Sequence, residues 1–153
     1  MRAMVLHGKN QPFKLENVAD PTPGPGEAVA RILACGSGLT IQHVRAGRVD
    51  VEYPRIIGHE ITGEIVAVGP GVGEIAVDDP VTAYFYITCG RCKWCLNNRE
   101  TLCENFGGYV GREVDGAYAE YMKLPARNFL KLPEALDYKS SPAEVGVICD
   151  AIA

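Results

Sequence analysis

Apolar and polar residues alternate in several short runs along this chain, each run bounded by glycine or proline. That pattern marks half-buried strands joined by tight turns. Ala3–His7 and Lys14–Val18 predict two strands around the Gly8–Pro12 turn. Pro21-Thr22-Pro23-Gly24-Pro25-Gly26 breaks regular structure. The alternation resumes over Ala28–Cys35, until Gly36-Ser37-Gly38 frees the chain to turn. Thr40–Ala46 predicts a short helix stopped by Gly47. Ile61–Val68 is the clearest strand, bounded by Gly69-Pro70-Gly71, and Val81–Ile87 is another. Gly116–Leu124 sets Tyr118 and Glu120 against Ala119 and Tyr121, which predicts a strand, with a short one following over Phe129–Leu132. Ser141-Pro142-Ala143-Glu144 carries a helix start: serine as N-cap, proline in the first turn and glutamate completing a capping box. This predicted helix runs through Asp150 to Ala153 with no glycine stop, which predicts that the chain is the front piece of a longer polypeptide.

Composition sharpens the class. Seventeen glycines and ten prolines favour many short strands over a helical bundle. A length of 153 residues suits one domain, and 47% apolar with 22% charged residues is the make-up of a globular protein. A net charge of −4 argues against a polyanionic partner, so nucleic acid is not expected. No apolar run approaches the roughly 20 residues of a membrane span. Met1–Gln11 has no apolar centre, so it does not read as a signal peptide. Six cysteines without signs of secretion point to metal and thiol chemistry in a reducing compartment, the cytoplasm by default.

Four of those cysteines fall in one stretch: Cys89-Gly90-Arg91-Cys92-Lys93-Trp94-Cys95, closed by Cys103. Thiolates at this spacing can turn onto one tetrahedral ion with Zn–S bonds of roughly 2.3 Å. Gly90 lets the first turn fold tightly. Disulfides are disfavoured because cysteines so close together pair poorly, and an iron–sulfur cluster is the main rival to zinc. Four sulfurs close the coordination shell, so this site orders a lobe and leaves no position for chemistry.

Three further potential ligands remain: Cys35 at a strand end, His59 before the clearest strand, and Asp150 or Cys149 on the last helix. Taken singly, each has a plain structural reading, and their spacing does not unite them.

Gly58-His59-Glu60-Ile61-Thr62-Gly63, with Gly69 following after five intervening residues, resembles the zinc signature of the medium-chain alcohol dehydrogenases. Cys35-Gly36-Ser37, the Cys89–Cys103 cluster and Asp115-Gly116-Ala117-Tyr118-Ala119-Glu120-Tyr121 fall in that family's order and spacing. The resemblance covers the whole chain. It implies a mainly β fold over residues 1–153, a partly open barrel similar to GroES with short helices and a zinc lobe at about 88–110. The region the chain resembles is that family's N-terminal catalytic domain.

The resemblance further implies two zinc ions, one structural and one catalytic. The catalytic ion would sit on Cys35, His59 and a third ligand. Register with the family favours Asp150, whereas a Cys2His set would favour Cys149. Ser37 matches the hydroxyl that takes the alcohol proton, with a turn serine as its plain alternative. Glu60 matches an acid beside the zinc, against a solvated or ion-paired carboxylate. Gly38 stands where many members carry Asp or Cys, so no carboxylate partner for His59 is expected there. Leu39 replaces a relay histidine of some members, and Asp78-Asp79-Pro80-Val81 departs from the usual Gly-Asp-x-Val turn.

The implied reaction is hydride transfer between a small alcohol or carbonyl compound and NAD or NADP, in a complete enzyme that is a homo-oligomer. Val66–Gly73 superficially suggests a dinucleotide loop, but Glu74 replaces the last glycine and no helix pattern follows, so it reads as a turn. The nucleotide domain is expected beyond these residues, and the chain alone is expected to bind zinc without turnover. The alternative is a freestanding zinc-stabilised β-barrel that binds a partner without catalysis. A zinc-free enoyl or quinone reductase relative is disfavoured, since such proteins lack both metal signatures.

Overall fold

The computed structural model describes residues 1–147. Asp150, Cys149 and the end of the last predicted helix lie outside the described residues. The elements in order are β1 (Arg2–Leu6), β2 (Lys14–Asn17), β3 (Glu27–Cys35), α1 (Leu39–Arg45), β4 (Arg55–Ile56), β5 (Ile61–Val68), β6 (Pro80–Ala83), β7 (Tyr86–Ile87), β8 (Gly108–Tyr109), β9 (Tyr121–Pro125), β10 (Phe129–Lys131) and α2 (Pro142–Gly146). They form a three-stranded sheet β2-β1-β4, a five-stranded sheet β10-β6-β5-β3-β9 and a two-stranded ribbon β7-β8. The fold is mainly β, as the alternation predicts.

β3 and β5 are the spine. They pair antiparallel from Ala28 opposite Val68 to Cys35 opposite Ile61. Ala28, Ala30, Ile61 and Ile65 are buried on this spine and pack with Val81, Met122, Leu124 and Phe129 into the main core. A second cluster joins Leu6, Ile57 and the buried face of α1, Ile41 and Val44. Each such side chain contributes roughly 1.5–3 kcal/mol when fully buried.

Two predicted strands are divided. The run 81–87 breaks at Tyr84 and Phe85, because buried Asn128 donates its side-chain amide to the carbonyls of Tyr84 and Tyr86, both at 2.8 Å. A side chain there takes the place of a ladder partner, and Phe85 is released toward His59. The run 116–124 is divided because its first half pairs elsewhere. Gly116, Ala117 and Tyr118 donate to Ile56, Gly58 and Ile57, whereas Tyr121 onward pairs with β3.

The capping box predicted at Ser141 does not form, since its side chain makes no cap hydrogen bond. The helix start is held from outside: the buried Thr62 hydroxyl donates to the Pro142 carbonyl at 2.7 Å. Gly146 lies on the backbone of Glu60, Ile61 and Thr62, where a Cβ would stand 3.2 Å from the Glu60 carbonyl oxygen. The Val66–Gly73 stretch is strand end and turn, with no helix behind it. Asp78 adopts φ 73°, the left-handed conformation that the glycine of the usual turn adopts without strain.

Candidate metal centres and the pocket beside His59

The four cysteines of the 89–103 stretch converge. Their sulfurs all lie within 4.8 Å of one another. Cys92 and Cys95 sulfurs are 3.6 Å apart, and those of Cys89 and Cys95 are 4.0 Å apart. Four sulfurs around one zinc stand about 3.8 Å from each other, given bonds of about 2.3 Å. A disulfide needs about 2.05 Å, and none of the five described cysteines is in one. The donor set and spacing fit a tetrahedral ion.

The local chain builds this arrangement. Gly90 holds φ 69°, a left-handed conformation that a side chain would strain, and the Arg127 guanidinium lies over it. Short 3-10 turns at Cys95–Asn97 and Glu100–Leu102 bring Cys95 and Cys103 round. Backbone N–H groups led by that of Arg91 pull the Cys89 thiol down to about 6. Burial and the neighbouring sulfurs push Cys95 up to about 11. Four adjacent sulfurs resist ionising together, and a divalent cation removes that conflict.

The second constellation lies at the other end of the β3–β5 ladder. Cys35 ends β3 opposite Ile61, and the Gly36 N–H donates to the Glu60 carbonyl at 2.7 Å. That register carries Cys35 beside the Gly58-His59-Glu60 turn. Gly58 has φ 99°, and a Cβ on it would stand 2.8 Å from Cys35 Sγ and 2.6 Å from Tyr118 Cδ1. The sulfur is therefore seated on the residue preceding His59. His59 is buried, its ring 5.1 Å from that of Phe85. A thiol and an imidazole are donor types of zinc sites, and here the imidazole belongs to the residue that follows the one on which the Cys35 sulfur packs.

Glu60 is 7% exposed, so the solvated reading does not hold. Its carboxylate lies along the Gly36–Gly38 turn. A Cβ at Gly36 would stand 1.9 Å from Oε2, and one at Gly38 would stand 2.8 Å from Oε1. Glu60 thus fills the room that a side chain at position 38 would need. A carboxylate reaches this corner from Glu60, not from Gly38.

Ser37 is exposed at the same turn and hydrogen-bonds to Tyr118. The Tyr118 hydroxyl donates to the Gly36 carbonyl at 3.3 Å. Burial raises the Tyr118 pKa, the charges of Cys35 and Glu60 add to this, and the Ser37 hydrogen bond opposes it. The motif 115–121 contains Tyr118, but its period-two alternation read as a strand and hid this contact.

A cavity of about 260 Å3 opens beside His59, lined by Ile41, Ile57, Phe85, Tyr109 and Arg112 among others. Phe85 stacks on Tyr109 with ring centres 6.2 Å apart. A larger cavity of about 650 Å3 lies between the first sheet and β9, and among the described residues none of the candidate ligands lines it. Among the described residues, no helix is long and apolar enough to cross a membrane.

The family model described as "Alcohol dehydrogenase GroES-like domain" matches residues 24–134. An alcohol dehydrogenase of Geobacillus stearothermophilus is 38% identical over 144 residues, covering 92% of this chain and 42% of its own length. L-threonine 3-dehydrogenase of Thermococcus kodakarensis is 35% identical over 145 residues, covering 91% and 41%. A cobalt- and zinc-bound thermostable alcohol dehydrogenase from Pyrobaculum aerophilum superposes with a TM-score of 0.86 at 32% identity, over 97% of this chain and 44% of that one. The chain spans about two fifths of the length of the curated relatives it matches.

Proposed function

Because the chain belongs to the alcohol dehydrogenase GroES-like domain family, we propose that it is the metal-bearing catalytic part of a zinc-dependent oxidoreductase. The reaction is hydride transfer between a small alcohol or carbonyl compound and NAD or NADP. The carrying observation is the seating of Cys35 Sγ against Gly58, beside buried His59.

Cys35 and His59 hold the catalytic zinc with Asp150 as third ligand, and Cys89, Cys92, Cys95 and Cys103 hold the structural one. Bound there, the catalytic ion supplies Lewis-acid polarisation of a substrate oxygen. Ser37 receives the alcohol proton, and Tyr118 orients its hydroxyl from the Gly36 carbonyl. Glu60 contributes negative charge beside the imidazole and thiolate, which favours a bound cation. Phe85 and Tyr109 keep water from the pocket wall. Support for Asp150 comes from Gly146, four residues before it, which lies on the backbone of Glu60–Thr62, the segment that follows His59. We place the chain in the reducing cytoplasm and the complete enzyme in a homo-oligomer, with the whole of residues 1–153 as the catalytic domain.

Elemental analysis tests the assignment. The wild-type chain takes up two zinc equivalents. Cys35→Ser, His59→Ala and Asp150→Ala each retain one, and Cys149→Ala retains two. A wild-type chain with one equivalent, or a Cys35→Ser chain with two, overturns the reading. Loss of an equivalent in Cys149→Ala but not in Asp150→Ala moves the third ligand to Cys149.

A further inference from the structure

The wall of the His59 pocket carries one feature that zinc chemistry does not use. Arg112 lines the pocket beside Tyr109, its guanidinium carbon 4.9 Å from the centre of that ring. The ring contacts run in order from His59 to Phe85, from Phe85 to Tyr109 and from Tyr109 to Arg112. The cation and the candidate zinc ligand therefore belong to one continuous surface.

The charge of Arg112 is poorly met. Its side chain keeps 34% of its exposure, and its ion pair with Glu113 is 3.6 Å long. The other oxygen of the Glu113 carboxylate accepts the Tyr109 N–H at 2.7 Å, which ties that side chain to the backbone. Arg112 Nε is buried and, among the described residues, has no hydrogen-bond partner. Buried donors in native proteins almost always find partners, so an unmet one calls for an explanation. A guanidinium presents five donors in a fixed fork that matches a planar oxyanion. The surrounding wall offers it no such group: Ile41, Val44, Ile57 and Phe85 are apolar.

We propose that Arg112 determines substrate class, and that the pocket takes a small alcohol or carbonyl compound bearing a carboxylate. The guanidinium binds the carboxylate, and the hydroxyl or carbonyl oxygen is presented to the His59 side. A volume of about 260 Å3 is below the roughly 300–1,000 Å3 of sites for drug-sized ligands, which suits an acid of a few carbons. This inference rests on the pocket being the oxygen-substrate site of the function proposed above.

The test titrates the nitrogen-15-labelled, zinc-loaded chain with 3-hydroxybutyrate and with 1,3-butanediol, which share a carbon skeleton and differ in charge. The hydroxy acid is expected to bind about tenfold more tightly or better, the gain from one hydrogen bond to a charged group. The Arg112 Nε–H resonance moves with the acid and stays still with the diol. In Arg112→Leu the preference disappears.

Equal affinities overturn the proposal, as does an Nε–H signal that the acid leaves unmoved. A preference that survives in folded Arg112→Leu also overturns it, because the carboxylate is then on the metal. Should Arg112→Leu not fold, the wild-type resonance decides alone. Zinc content separates the two readings. Two equivalents with no acid preference sink only the Arg112 assignment. One equivalent sinks the zinc dehydrogenase reading and with it the substrate class, and an Arg112-dependent preference then shows carboxylate binding by Arg112 alone.

Discussion

Replacing Gly58 by alanine tests the packing that brings the candidate ligands together. Two costs combine. The backbone there has φ 99°, where an L side chain is strained by about 1–2 kcal/mol. The new Cβ would stand 2.8 Å from Cys35 Sγ and 2.6 Å from Tyr118 Cδ1, and overpacking of this kind costs about 1–3 kcal/mol. The expected loss is about 2–5 kcal/mol, a large share of the 5–15 kcal/mol of a typical domain. Gly71→Ala separates the two terms, because Gly71 has φ 82° with nothing within 4 Å of a Cβ. It should show the backbone cost alone. Urea denaturation of the zinc-saturated chains measures the difference, and elemental analysis follows the metal. Relieving the clash displaces the sulfur or the ring, so Gly58→Ala should also lose one zinc equivalent and keep the four-cysteine ion. If Gly58→Ala were no less stable than Gly71→Ala and held two equivalents, the argument for a crowded ligand seat would be wrong.

Two other perturbations probe separate parts of the molecule. Cys103→Ser should remove the structural zinc and open the 88–110 lobe, so that trypsin cuts at Arg91, Lys93 or Arg99 while the β3–β5 spine survives; a lobe as resistant as the wild type refutes the metal's structural role. At Glu64, the Tyr138 hydroxyl at 2.8 Å, aided by Arg31 and Lys139, holds the carboxyl below its ordinary 4.5. A carboxylate with a depressed folded pKa contributes stability that is present above the unfolded value and lost as pH falls through the folded one. The stability advantage of wild type over Glu64→Gln should therefore shrink as pH drops below 4.5, and an advantage independent of pH would contradict the assignment.

The alternating runs located most strands within a residue or two, because apolar period and turn residues act locally. β5 was found with both ends, Ile61 and Val68, since glycine and proline bound it. The strands at 81–87 and 116–124 were legible as extended chain but not as divided chain. Their breaks depend on Asn128 and on the Ile56–Gly58 carbonyls, which lie far away in sequence. The four-cysteine lobe was legible for the complementary reason that all its ligands lie on one short loop.

By itself, then, the sequence determined the strand-rich fold, the lobe and its sulfur donors, and the residue types able to hold a second metal. Tertiary structure alone decided that Cys35 and Tyr118 sit against Gly58, that Glu60 is buried along a turn whose glycines leave it room, and that Arg112 lines the pocket beside His59. Chain spacing fixes a contact only when the intervening loop is short. Across the β3–β5 pairing, register and the absence of a Cβ at Gly36, Gly38 and Gly58 set the distances, and those belong to neighbours in space.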